Sequence, residues 1–208
     1  REALVQLIYR TSHEDGAKLV SDHRIGASGY TGARHTGLKL KAAADAAGKP
    51  MYLELSSINP VFILSGALTE RAAALADEFT GSCLMGTGQF CTNPGLLIGI
   101  KSEGLQQFMK NLSDEIIRIE PSCMLHPNIL GAYEKNREKA LSQIGIQIVA
   151  DINAEVPVNY GRQTLTTVDG QTFLENPNLH QEVFGPYSVI VQCEDINQME
   201  KIVSKLEG

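Results

Sequence analysis

Between Ile25 and Leu55 the chain runs Ile-Gly-Ala-Ser-Gly-Tyr, a turn at Gly32, a helical stretch from His35 to Gly48, and then Pro-Met-Tyr-Leu-Glu-Leu. A strand, an amphipathic helix and a second strand joined by turns this short favour two parallel strands with a right-handed crossover. The helix carries apolar side chains at Leu38, Leu40 and Ala44 and stops at Gly48, a residue suited to a left-handed C-terminal cap. Ahead of this unit, residues 4–9 read as a short buried strand, and Ser12 and Asp15 have the spacing of a capping box for a helix to about Val20. After it the same alternation resumes. Ile58-Asn59-Pro60 breaks the chain, residues 61–64 form a strand, and a helix follows from about Thr69 to Met85. A strand at 96–100, helices at 103–119 and 127–143, and a strand at 146–151 come next. Residues 162–176 read as a hairpin around Asp169-Gly170, followed by a strand at 187–194 and a helix at 195–206 with Asp195 as N-cap. The fold class is α/β, and the boundary between two domains falls near residue 58, giving 1–58 and 59–208. The sequence holds no internal repeat, low-complexity tract or long linker.

Charge and cysteine usage narrow the function. Eighteen basic against twenty-four acidic side chains give a net charge of −6, the wrong sign for a nucleic-acid or anionic membrane surface. No apolar run approaches the roughly 20 residues that span a bilayer. Cys83, Cys91, Cys123 and Cys193 form no CxxC pair, and the five histidines lack ligand spacing, so no metal site is expected. Few, scattered cysteines fit a reducing, cytoplasmic compartment. The chain starts at Arg1 without methionine and stops inside an expected helix, so it reads as a piece of a longer protein.

Four stretches carry chemistry. In Gly-Gln-Phe-Cys-Thr-Asn-Pro-Gly (88–95), glycines surround Cys91 and Pro94 stops the backbone. Such a loop can raise a thiolate beside outward-pointing main-chain N–H groups, which stabilise an oxyanion formed when sulfur attacks a carbonyl. The alternative is a small apolar packing residue, the ordinary role of a free cysteine and the one assigned to Cys83, Cys123 and Cys193. Glu54 ends the strand 50–55, with Tyr52 on its own face and Met51, Leu53 and Leu55 on the other. A carboxylate at the C-terminal end of a parallel strand lies where open α/β sheets bind ligands, and partial burial would suit it to general-base work; otherwise it is a solvated strand-end acid. The turn Tyr-Thr-Gly-Ala-Arg-His-Thr-Gly (30–37) can place a diphosphate at a helix N-terminus, yet it is neither a GxGxxG nor a P-loop pattern. In Gln-Glu-Val-Phe-Gly-Pro (181–186), Glu182 could bind ribose hydroxyls and Phe184 could pack on a flat cofactor, or the segment is a loop anchored by one ring.

Taken in order, YTGARHTG, LELSSINP, GQFCTNPG and EVFGP resemble the aldehyde dehydrogenase superfamily over nearly the whole chain. The resemblance implies that Cys91 is the nucleophile and Glu54 the general base. It implies that Gly32, Gly37 and Leu55 belong to the cofactor site, that Glu182 holds the ribose beside the nicotinamide, and that Phe184 packs near that ring. The implied cofactor is NADP or NAD and the implied substrate a small aldehyde, and the full-length protein is expected to be a homo-oligomer. Residues 1–58 would then be the C-terminal part of a dinucleotide-binding domain and 59–208 a catalytic domain. Ser56 and Ser57 stand where the family usually has two glycines, and Tyr30-Thr31-Gly32-Ala33 stands for the usual Phe-Thr-Gly-Ser. Both departures resemble the α-ketoglutaric semialdehyde and NADP-linked fatty aldehyde dehydrogenases, the former more closely. In the family a second oxyanion donor, an asparagine, and the adenosine contacts come from earlier chain, so these 208 residues alone are expected to be inactive. Two other readings stand beside this one: a cofactor-free cysteine hydrolase or acyltransferase using Cys91 and Glu54, and a non-catalytic α/β interaction domain with an unreactive Cys91.

Overall fold

The structure, a computed structural model, describes residues 4–9 and 11–206. The chain divides into two compact units, one up to Ser56 and one from Ser57 onward.

In the first unit, helix α1 (His13–Ser21) is followed by strand β1 (Ser28–Thr31), helix α2 (Arg34–Ala46) and strand β2 (Met51–Glu54). Ser12 opens α1 as its spacing implies: its oxygen accepts the Asp15 N–H at 3.0 Å and its hydroxyl donates to the Asp15 carboxylate at 2.8 Å. Strands β1 and β2 are parallel, with Ser28 opposite Met51 and Thr31 opposite Glu54. Helix α2 ends through Gly48, whose φ of 67° suits a residue without Cβ and whose N–H reaches the Asp45 carbonyl at 2.9 Å. Val20 and Ala44 are buried. The strand expected at 4–9 is absent. Leu4, Val5, Leu7, Ile8 and Tyr9 are exposed, and among the described residues β1 and β2 pair only with each other.

The second unit is built on a five-stranded sheet. Strand β3 (Pro60–Ile63) leads into helix α3 (Ser65–Leu84), a 3₁₀ turn (Met85–Gly88) and strand β4 (Leu96–Ile100). Helix α4 (Glu103–Arg118), the short strand β5 (Ser122–Cys123), helix α5 (Pro127–Leu141), strand β6 (Gln147–Asp151) and the short strand β7 (Tyr160–Gly161) come next. Strand β8 (Thr164–Asp169), helix α6 (Gly170–Glu175), a 3₁₀ turn (Pro177–His180), strand β9 (Tyr187–Cys193) and helix α7 (Ile196–Val203) complete it. The order is β3-β4-β9-β8-β6, parallel except for β6 at one edge. Helix α3 starts four residues before Thr69 and bends at Arg71, where φ −151° and ψ 38° leave the helical region.

Burial alternates along the central strands as a period of two demands. On β4, Leu97 joins one core with α3 and α4 (Leu68, Phe79, Phe108, Leu112), whereas Leu96 and Ile98 join the other with α5, α6 and α7 (Tyr133, Phe173, Ile202). On β9, Ile190 faces the first core and Val189 and Val191 face the second. The sheet is therefore covered on both faces, which is why both strands read as unbroken apolar runs.

The expected hairpin at 162–176 is a strand followed by a helix. Asp169 accepts the N–H groups of Gln171 and Thr172, each at 3.0 Å, so Asp-Gly starts α6 instead of turning back a strand. Strand β8 finds its partners elsewhere, in β9 and β6. Among the described residues no helix is long and apolar enough to cross a membrane.

Candidate active site

Cys91 is exposed, on a turn closed by the Asn93 N–H donating to the Phe90 carbonyl at 3.0 Å. The backbone reaches that turn through three consecutive left-handed residues: Gly86 (φ 55°), Thr87 (φ 60°) and Gly88 (φ 66°). Two are glycines, for which this costs little, but Thr87 is β-branched, and such a conformation costs on the order of 1–3 kcal/mol. Its surroundings hold it there: Thr87 is buried and its hydroxyl donates to the Cys123 carbonyl at 3.3 Å. Gln89 braces the same loop, donating to the Gly86 carbonyl at 2.8 Å and accepting the Leu125 N–H at 2.9 Å.

Two further segments fix the turn. Asn59, at the head of β3, donates through Nδ2 to the carbonyls of Cys91 (2.7 Å) and Asn93 (3.0 Å). The Glu182–Pro186 segment lies against the other side. A Cβ on Gly88 would collide with the Gly185 carbonyl, Asn93 Nδ2 lies 3.4 Å from that oxygen, and the Ser188 hydroxyl donates to the Pro94 carbonyl at 3.0 Å. Gly185 has φ 149° and sits over the Tyr133 ring. The buried Tyr133 hydroxyl donates to the Arg162 carbonyl at 2.6 Å and lies 3.3 Å from that of Pro186. Burial raises the Tyr133 pKa, so the hydroxyl remains a donor.

Between these segments lies a shallow crevice open to solvent. Glu182, Phe184 and Gln181 line one side, Gly88, Asn93 and Gly95 the other, and Ser57 and Ile58 complete it. Glu182 and Phe184 are half-buried. Asn93 Oδ1 is buried and has no hydrogen-bond partner in the structure. A carboxylate and an aromatic ring in the lining are of the chemistry that hydroxyl groups and a flat ring would need.

In the first unit, Glu54 ends β2 with its side chain exposed and 3.4 Å from the Thr31 hydroxyl. The partial burial that would suit it to general-base work is not seen: Tyr52 and Glu54, on one strand face, are both exposed. The Gly32 N–H donates to the Glu54 carbonyl at 3.0 Å, and φ is 149° at Gly32, where a Cβ would come within 2.7 Å of the Tyr30 hydroxyl oxygen. Gly37 is buried: a Cβ there would lie 2.5 Å from Leu55 Cδ2 and 3.0 Å from the Tyr30 ring. Gly37 and Leu55 thus let α2 approach the end of β2 closely. Helix α2 has no side-chain cap at Ala33 and no acid in its first turn, which fits an anion at its N-terminus.

The other thiols lack this setting. Burial pushes Cys83 up to about 12 and, with Asp195 and Glu194 nearby, Cys193 up to about 11. Cys123 is exposed, 3.7 Å from Asn159 Nδ2. Sequence reasoning missed Asn59, Gln89 and Tyr133. Only Tyr133 carried a local signal, since a tyrosine hydroxyl in a core needs an acceptor.

The aldehyde dehydrogenase family matches residues 2–207. Alpha-ketoglutaric semialdehyde dehydrogenase 2 of Azospirillum brasilense is 36% identical over 195 residues, covering 93% of this chain and 37% of the relative. The alpha-ketoglutaric semialdehyde dehydrogenase of Acinetobacter baylyi is 35% identical over 198 residues, covering 92% and 38%. The chain thus spans somewhat over a third of the length of these relatives. Among solved structures, succinic semialdehyde dehydrogenase from Streptococcus pyogenes in complex with NADP+ superposes with a TM-score of 0.74. That match covers 92% of this chain and 43% of the other at 19% identity, and it speaks for the fold alone. The cysteine turn, the crevice beside it and a match over almost every residue lead to one assignment: the chain belongs to the aldehyde dehydrogenase family.

Proposed function

We propose that the intact protein oxidises an aldehyde to a carboxylic acid, with Cys91 as nucleophile and Glu54 as general base. The observation that carries the proposal is the exposed sulfur of Cys91, on a turn braced from two sides beside a crevice lined by Glu182 and Phe184. The Cys91 thiolate adds to the carbonyl carbon, a C–S bond forms, and the oxygen takes the charge as a thiohemiacetal anion. The Cys91 N–H lies at the base of that adduct as an oxyanion donor. Bound NAD(P)+ supplies the hydride acceptor. Loss of hydride from the carbon leaves a thioester on Cys91. Glu54 takes a proton from water, whose oxygen attacks the thioester; the C–S bond breaks, and thiolate and acid are released.

Glu182 and Phe184 would hold the ribose and the flat ring of the cofactor, and Gly32, Gly37 and Leu55 would shape the turn that receives its diphosphate. Residues 1–58 then serve as part of the dinucleotide-binding domain and 59–208 as the catalytic domain. The two semialdehyde dehydrogenase relatives support α-ketoglutaric semialdehyde as substrate. The same reading, with four free cysteines, supports a cytoplasmic homo-oligomer.

The test is NAD+ and NADP+ reduction by the intact gene product with α-ketoglutaric semialdehyde, succinic semialdehyde and a long-chain aldehyde. The first is expected to give the highest kcat/KM, and Cys91→Ala to abolish turnover with each. Turnover that survives Cys91→Ala removes the nucleophile assignment.

A further inference from the structure

We propose that Asn59 is a positioning residue for the nucleophilic turn, its carboxamide fixing the peptide plane that follows Cys91. This rests on the reading of Cys91 as nucleophile.

Three observations meet at Asn59. Its Nδ2 donates to two carbonyls of one short turn, Cys91 at 2.7 Å and Asn93 at 3.0 Å, so one amide grips both ends of Cys91-Thr92-Asn93. Its Oδ1 accepts the Ser57 hydroxyl at 3.0 Å, which sets the orientation of the amide and leaves the NH2 group toward the turn. Its backbone has φ 46°, although Pro60 follows and residues before proline favour extended conformations. A residue held in such a conformation needs compensation from its surroundings, and the two bonds to the turn provide it.

The consequence for chemistry follows from peptide geometry. Among the described residues no peptide bond is cis, and a trans peptide points its N–H away from its C=O. With the Cys91 carbonyl drawn toward Asn59, the Thr92 N–H is turned to the opposite side. Neither that N–H nor the one of Cys91 has a backbone acceptor among the described residues. The clamp therefore fixes the direction of the Thr92 N–H, a donor left open beside that of Cys91, and a fixed donor is what stabilisation of a developing oxyanion requires. Without it, the Cys91–Thr92 peptide can rotate and the Thr92 N–H loses its aim.

The test uses the intact protein with Asn59→Gly, Asn59→Asp and Ser57→Ala. Glycine keeps the left-handed backbone and removes the clamp, and aspartate keeps the shape but turns an acceptor toward two carbonyl oxygens. The readouts are kcat, KM for the aldehyde, Tm and the rate of Cys91 alkylation by iodoacetamide, a reaction that needs no oxyanion donor. For Asn59→Gly, kcat is expected to fall about 10- to 100-fold, the scale of a small misplacement. KM and alkylation should stay within about threefold, and Tm close to wild type. Asn59→Asp should lose at least as much. Wild-type kcat in Asn59→Gly overturns the proposal, as does a drop in Tm with equal losses of turnover and alkylation, which assigns Asn59 to folding. If neither Asn59 variant folds, Ser57→Ala decides: a loss of kcat of a few fold supports the clamp, and an unchanged kcat overturns it. Failure of the nucleophile reading itself appears separately, as turnover retained by Cys91→Ala.

Discussion

Gly88 carries two constraints at one position: φ of 66° and a neighbouring carbonyl, that of Gly185, where its Cβ would be. The second is the more severe, because backbone cannot swing aside as a flexible side chain can. Gly88→Ala is expected to destabilise the protein by about 1–3 kcal/mol through overpacking, with a further loss from the left-handed backbone. It should also lower kcat by at least tenfold, since the displaced loop carries Cys91. Urea denaturation and steady-state kinetics of the intact protein check both, and a variant of wild-type stability and rate would contradict the close approach. Cys91 could be singled out from the sequence because glycines and a proline around it announce a sharp turn within eight residues. Asn59 could not. Its bond to Cys91 spans 32 positions, and in the sequence it is only the middle of a chain break. Long-range side-chain bonds leave no periodic trace, whereas local backbone demands do.

At the level of elements, Asp169 shows how one dipeptide supports two readings. Asp-Gly suits a hairpin turn and also an N-cap with its first helical residue, and the choice was made by the sheet, which pairs β8 with β9 and β6. Burial alone would raise the Asp169 pKa, but hydrogen bonds from the Thr172 hydroxyl and from the N–H groups of Thr172 and Gln171 outweigh it and hold it below the usual carboxylate range. A depressed folded-state pKa means stability that is present above the unfolded value and lost as pH falls through the folded one. Asp169→Asn keeps a capping oxygen without the charge. Its stability at neutral pH should stay within about 1 kcal/mol of wild type. Its loss of stability as pH falls through the lowered folded-state pKa of Asp169 should be shallower than that of wild type. Parallel acid limbs in urea titrations from pH 7 to 3 would exclude this role. Helices α1 and α7 were legible in part because their N-cap oxygens, on Ser12 and Asp195, bond within three residues. The apolar run 4–9 was not, because its burial depends on a partner strand that the pattern of the run cannot reveal.

Across the whole molecule, the doubly covered sheet separates two cores that share only the sheet between them. Ile116 of α4 lies in one and Ile202 of α7 in the other, both almost fully buried. Ile116→Val and Ile202→Val should each cost about 0.5–1.5 kcal/mol. The double variant should match their sum within about 0.5 kcal/mol, measured by urea denaturation. A larger discrepancy would mean that the strands transmit packing changes from face to face. The contact between Gly88 and Gly185 reaches further still. Since main chain meets main chain there, the spacing of the two loops is independent of which side chains decorate them. Neighbours such as Gln181 and Val183 can therefore be exchanged, changing the lining of the crevice, while the main-chain contact that seats the sulfur-bearing loop stays where it is.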